Sequence, residues 1–114
     1  MASFKTQRMA EDIKRELSAI IRSLKDERIT TMLSVIKVVV SGDLSFAKIY
    51  VSDIGGSEKT ALAVEGLDHA KGFIRMRLAD SLHIRKAPDL SFIVDDSLEY
   101  SSHINSILEK LNRG

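Results

Sequence analysis

The sequence has no cysteine and no tryptophan, a single proline, and only two tyrosines and four phenylalanines among its 114 residues. Without cysteine there can be no disulfides, thiolate metal sites or cysteine nucleophiles, and the chain fits a reducing compartment. The few aromatic residues argue against a binding surface dominated by bases stacked on rings. No stretch approaches the ~20 apolar residues needed to cross a bilayer, and Met1-Ala2-Ser3-Phe4-Lys5 carries no apolar signal core. A soluble, cytoplasmic protein with no membrane partner is therefore expected. The motifs G-x-x-x-x-G-K-[ST], G-x-G-x-x-G and G-x-S-x-G are also missing, which removes the usual signs of a phosphate loop, a dinucleotide fold and a nucleophile elbow.

Net charge is +1, but the charges are unevenly distributed. Residues 69–86 hold five basic side chains (Lys71, Arg75, Arg77, Arg85 and Lys86) against one acid, with His69 and His83 in addition. Residues 87–114 hold two basic and five acidic side chains. One short basic stretch in a nearly neutral chain is the pattern of an anion-binding face, although a solvated helix surface produces it too. The length suits one domain covering residues 1–114.

Met9, Ile13, Leu17, Ile20, Ile21 and Leu24 recur at helical steps, so the first helix is expected from about Thr6 to Leu24. Arg8, Arg15 and Arg22, seven apart, share another face of it and are secondary candidates for an anion contact. Two strands follow, Leu33 to Ser41 and Ser45 to Ser52, joined by Ser41-Gly42-Asp43 as a hairpin turn. Ser57 is expected to cap a helical stretch that runs from Glu58 to about Leu82. Gly66 and Gly72 interrupt that stretch at ~1 kcal/mol each, which points to a bend near Gly72. Pro88 stops the helix, Leu90, Phe92 and Val94 alternate as a third strand, and a last helix is expected from Ser97 with Leu98, Ser101, Ile104, Ile107, Leu108 and Leu111 on its apolar side. The order α-β-β-α-(bend)-α-β-α implies an α+β domain, a mixed three-stranded sheet with helices on one face.

Catalytic groups are sparse. His69, His83 and His103 are too far apart in sequence to suggest a metal-ligand pair. Asp95 and Asp96 are adjacent, so on a strand they point to opposite sides, and acids there more often stabilise the start of a following helix. The basic stretch is a better candidate. Lys71 and Arg75 share a helix face, Arg77 points elsewhere, and Arg85 and Lys86 follow in a short loop. All five suit phosphate contacts. Changing Lys71 and Arg75 to glutamate is expected to remove RNA binding with the fold intact, and five contacts predict a log–log salt slope of roughly −3.5 to −4.5.

Four blocks carry a family resemblance: Leu24-Lys25-Asp26-Glu27-Arg28-Ile29; the segment from Ser41-Gly42-Asp43 to Ser52; Ala70-Lys71-Gly72-Phe73-Ile74-Arg75; and Leu82-His83-Ile84-Arg85-Lys86-Ala87-Pro88-Asp89-Leu90-Ser91-Phe92. In this order and spacing the chain resembles the ribosome-binding factor A family along nearly its whole length. The resemblance implies a type II KH-like fold in which the G-x-x-G loop is replaced by an interhelical bend at an Ala-x-Gly sequence, here Ala70-Lys71-Gly72. It also implies binding to immature small ribosomal subunits and their ribosomal RNA, support for late maturation of that RNA, and importance for growth in the cold. The sequence departs from the family pattern at Glu27, where relatives usually carry proline, and at Asp89, where they carry glutamate. A monomeric RNA-binding assembly factor with no catalytic activity, cofactor, metal or small-molecule substrate is the leading expectation. The alternatives are a protein-interaction adaptor of the same fold without RNA contact, and a small hydrolase using Asp95 and Asp96.

Overall fold

The computed structural model describes residues 3–97. The last expected helix, from Leu98 onward, lies outside them. The described chain forms α1 (Phe4–Ser23), β1 (Leu33–Val40), β2 (Phe46–Asp53), α2 (Ser57–His69), α3 (Lys71–Leu82) and β3 (Asp89–Val94). The sheet order is β1-β2-β3, with β1 antiparallel and β3 parallel to the central β2. This is an α+β domain. None of its described helices is long and apolar enough to cross a membrane.

Helix α1 starts slightly earlier than its apolar stripe suggests, because Ser3 supplies a cap: its side-chain oxygen accepts a hydrogen bond from the Thr6 amide at 3.2 Å. The stripe itself, Ile13, Leu17, Ile20 and Ile21, is buried against the sheet and against α3. Beyond α1, Asp26 folds back on Arg28. Its carboxylate accepts from the Arg28 amide (2.9 Å), Nε (3.0 Å) and Nη2 (2.8 Å). These bonds hold the Asp26 carboxyl down at about 2, from an ordinary value of 3.8, with the side-chain bond to Arg28 the main cause. The guanidinium thus turns to Asp26 and not to its neighbour Glu27.

Strand β1 contains a break in alternation that its composition hides. Val35 pairs with Val51 and Lys37 with Tyr50, so Ile36 is an extra residue with no partner, a β-bulge. Val35 and Val40 lie an odd number of residues apart, so in a regular strand they would face opposite sides. The bulge brings both into the core beside Ala47, Ile49 and Val51 of β2 and Leu90 and Phe92 of β3. On the other face Lys48 and Phe46 are exposed, and the Lys37 ammonium sits 5.1 Å from the centre of the Tyr50 ring.

In the hairpin turn the Asp43 carboxylate accepts from Ser45 Oγ (2.7 Å), Ser41 Oγ (2.8 Å) and the Ser45 amide (3.1 Å). Bonds from Ser45 and Ser41 hold this carboxyl near 2 as well. Leu44 takes a left-handed conformation there, φ 63°, while packing partly buried against the core.

Between β2 and α2 the chain turns at Gly56, φ 111°, a conformation favouring glycine. Gly56 is the residue preceding α2, and Ser57, expected as its cap, is the first helical residue. No side chain caps α2; Thr60, within its first turn, instead ties the turn to β2, its hydroxyl donating to the Gly56 carbonyl (2.8 Å) and accepting from the Asp53 amide (2.9 Å). Gly66 sits in a tight place. A Cβ there would meet Ile29 Cγ1 at 3.1 Å and the Asp26 carboxylate at 3.2 Å.

The long helical stretch breaks at Ala70 (φ −91°, ψ 7°), and Gly72 is the second residue of α3. The apolar stripe Ala63, Leu67, Ile74, Leu78 keeps one helical phase through the break, and all four residues are fully buried. What changes is the partner: α2 lies over β2 and β3, whereas α3 packs mainly on α1. Helix α3 ends with His83 in the left-handed region, φ 54°; the Ile84 amide donates to Ala79 (3.0 Å) and the His83 amide to Asp80 (3.2 Å). This is a Schellman ending with histidine where glycine is usual. Because His83 is exposed, His83→Gly is expected to raise stability by about 0.5–1 kcal/mol, read from the midpoint of urea unfolding.

Candidate nucleic-acid interface

The phase of α3 decides which of its cations can meet a partner. Ile74 and Leu78 point inward. Gly72, Phe73, Met76, Arg77 and Asp80 are exposed on the opposite side. Lys71 and Arg75 lie on the flank, closer to the core. Lys71 is 3.5 Å from the Asp68 carboxylate.

Arg75 is engaged within the fold. Its Nη2 donates to the Ala87 carbonyl at 2.9 Å and its Nε to the Pro88 carbonyl at 3.1 Å, with Asp89 at 3.7 Å. Ala87 and Pro88 are buried. The guanidinium therefore ties α3 to the start of β3 by two charge-assisted bonds. The partners of Arg75 are backbone carbonyls twelve and thirteen residues ahead, which no local pattern displays.

The remaining candidate cations fall into two groups. Arg77 on α3 and Arg85 and Lys86 in the loop after it are exposed and have no acidic partner among the described residues. Arg8, Arg15 and Arg22 form a separate line on the side of α1 away from its buried stripe. Arg15 in that line is occupied, 3.2 Å from Asp12 and 3.5 Å from Glu16. Arg22 stands at the rim of a hollow of about 360 Å³ that Ile21, Leu24, Ile29, Leu33 and Val35 help to line. Ala70 is the hinge between the helices, and Gly72 borders it on the open side.

Asp95 is engaged locally. Its amide continues the ladder to the Val51 carbonyl (2.8 Å), and its carboxylate accepts from the Ser97 amide (2.9 Å); hydrogen bonding by the Ser97 side chain first, and by that amide second, holds its pKa down. No cluster of three potential metal ligands occurs among the described residues.

The family model for ribosome-binding factor A matches residues 5–108. The chain belongs to the ribosome-binding factor A family. Ribosome-binding factor A of Treponema denticola is 44% identical over 113 residues, covering 97% of this chain and 86% of the relative. That of Clostridium tetani is 41% identical over 112 residues, covering 97% and 93%. Among solved structures, the crystal structure of ribosome-binding factor A from Thermus thermophilus superposes with a TM-score of 0.69 at 28% identity, covering 78% of this chain and 93% of that one. A solution structure of the Thermotoga maritima homologue gives 0.72 at 29% identity, covering 82% and 89%. A further Thermus thermophilus ribosome-binding factor A model, fitted into a cryo-EM map of a 30S complex, gives 0.64. All eight cations and the Ala70-Lys71-Gly72 segment lie within the part matched by the ribosome-binding factor A model.

One exposed aromatic residue that sequence reasoning passed over lies beside Arg77. Phe73 is 45% exposed, and the Arg77 guanidinium carbon lies 5.9 Å from its ring centre. A signal was available: Phe73 is a large apolar residue one position out of phase with the Ile74–Leu78 stripe, and a basic residue follows four positions later.

Proposed function

We propose that this protein binds the free or immature small ribosomal subunit through its ribosomal RNA and assists late maturation of that RNA, with its largest effect on growth in the cold. It acts by binding, as a cytoplasmic monomer, and not as a catalyst. The observation that carries this reading is the exposed set Arg77, Arg85 and Lys86, without acidic partners among the described residues, at the end of a helix pair joined at Ala70. Support comes from the Thermus thermophilus homologue, whose model was fitted into a 30S complex.

Phosphate oxygens are the natural partners of such groups, because each contact is charge-assisted and releases counterions. With Arg75 taken up by the fold and Lys71 paired with Asp68, the exposed Arg77, Arg85 and Lys86 predict a log–log salt slope of about −2. The test is co-sedimentation with free small subunits, complete ribosomes and salt-washed precursors across a range of salt. Binding confined to free or precursor small subunits, with that slope, is the expected result. Binding that ignores both salt and nuclease treatment would instead favour the adaptor reading, for which the open sheet face with Ile36, Val39 and Phe46 exposed is the available surface.

A further inference from the structure

The outward side of α3 carries features that the fold does not use. Gly72 is exposed with ordinary helical backbone, and a Cβ built on it meets nothing within 4 Å. Neither conformation nor space inside the described chain calls for glycine there, although it weakens a helix. Next to it Phe73 keeps 45% and Met76 55% of their surface exposed. Arg77, one turn on, lies across the Phe73 ring at 5.9 Å. Asp80 closes the strip at its far end. A bare backbone position, a half-exposed ring and a guanidinium over that ring make a shelf on the outward side of α3.

We infer that Phe73, backed by Arg77, is a stacking platform for one unpaired nucleobase of the bound RNA, with the backbone of that nucleotide passing over Gly72. The inference rests on the RNA-binding reading above and adds to it a preference for single-stranded over duplex segments. The chemistry agrees with the charge pattern. An aromatic face accepts any base, and an arginine stacked on that ring adds a cation at the edge where the phosphate must lie. A duplex offers neither a free base face nor room at the shelf. A docked protein side chain would bury the same ring but has no call on the Arg77 guanidinium beside it.

The chain has no tryptophan, so Phe73→Trp places a single reporter at the platform. Its fluorescence is expected to fall sharply on adding protein-free small-subunit ribosomal RNA, and less with a duplex oligoribonucleotide. Phe73→Leu, which keeps an apolar side chain but removes the ring, is expected to weaken binding to that RNA roughly 5- to 100-fold, while Phe73→Tyr stays near wild type. Unchanged affinity in Phe73→Leu together with an unquenched tryptophan overturns the platform. So does a Phe73→Leu defect seen with assembled subunits but not with naked RNA, which assigns the ring to a protein partner. In both cases the RNA-binding reading survives if reversing Arg85 and Lys86 still removes binding. If the wild-type chain binds no RNA at low salt, that reading fails and the platform fails with it.

Discussion

Reversing Arg77, Arg85 and Lys86 together to glutamate is expected to weaken binding to small-subunit ribosomal RNA by about a hundredfold or more at about 0.1 M salt. The size follows from counterion release. Each phosphate contact on a single strand steepens the log–log salt dependence by about 0.7, so at about 0.1 M it contributes roughly a fivefold factor relative to molar salt, and three contacts multiply. The three new negative charges add repulsion. All three side chains are exposed, so the urea midpoint should not move. Filter binding at several salt concentrations measures the effect. A variant that binds within a factor of three of wild type would move the interface elsewhere, with the Arg8 and Arg22 line on α1 the next surface to test.

Arg75→Ala should have the opposite profile, a loss of stability of about 2–4 kcal/mol. The substitution leaves the carbonyls of Ala87 and Pro88, both in buried residues, without the donors that now satisfy them at 2.9 and 3.1 Å. Arg75→Lys should recover only part of the loss, because an ammonium cannot reproduce the planar fork that serves two carbonyls at once. Chemical denaturation followed by circular dichroism reads both. If Arg75→Ala unfolds at the wild-type midpoint yet fails to bind RNA, the arginine belongs to the interface after all. The contrast between the two experiments separates the two uses of arginine along one helix.

Much of this architecture could be read from the chain itself. The stripe from Ile13 to Ile21 is local, regular and amphipathic, and the strands around Ser41-Gly42-Asp43 carry β-branched residues on both sides of turn chemistry. Other features are hidden for specific reasons. The break at Ala70 does not disturb the spacing of Leu67, Ile74 and Leu78, because both helices bury the same phase against different partners. The bend itself was legible: it was expected near Gly72, within Ala70-Lys71-Gly72, and it falls at Ala70. The bulge at Ile36 is masked by a run in which valine, isoleucine and lysine fit either face. At the site, the abundance of cations was visible but their commitments were not. Arg75 is bound to backbone carbonyls, Arg15 to two acids on its own helix, and Lys71 to Asp68, and each of these depends on direction in space.

The unpaired residue in β1 gives the strand an unusual tolerance. Removing one residue from the middle of a strand normally turns half of it inside out. Here Val35 and Lys37 already oppose successive residues of β2, Val51 and Tyr50. A chain lacking Ile36 could close into an unbroken ladder with every remaining side chain keeping its face. Length variation among homologues can therefore be absorbed at this point of the sheet without disturbing the helices that carry the cations.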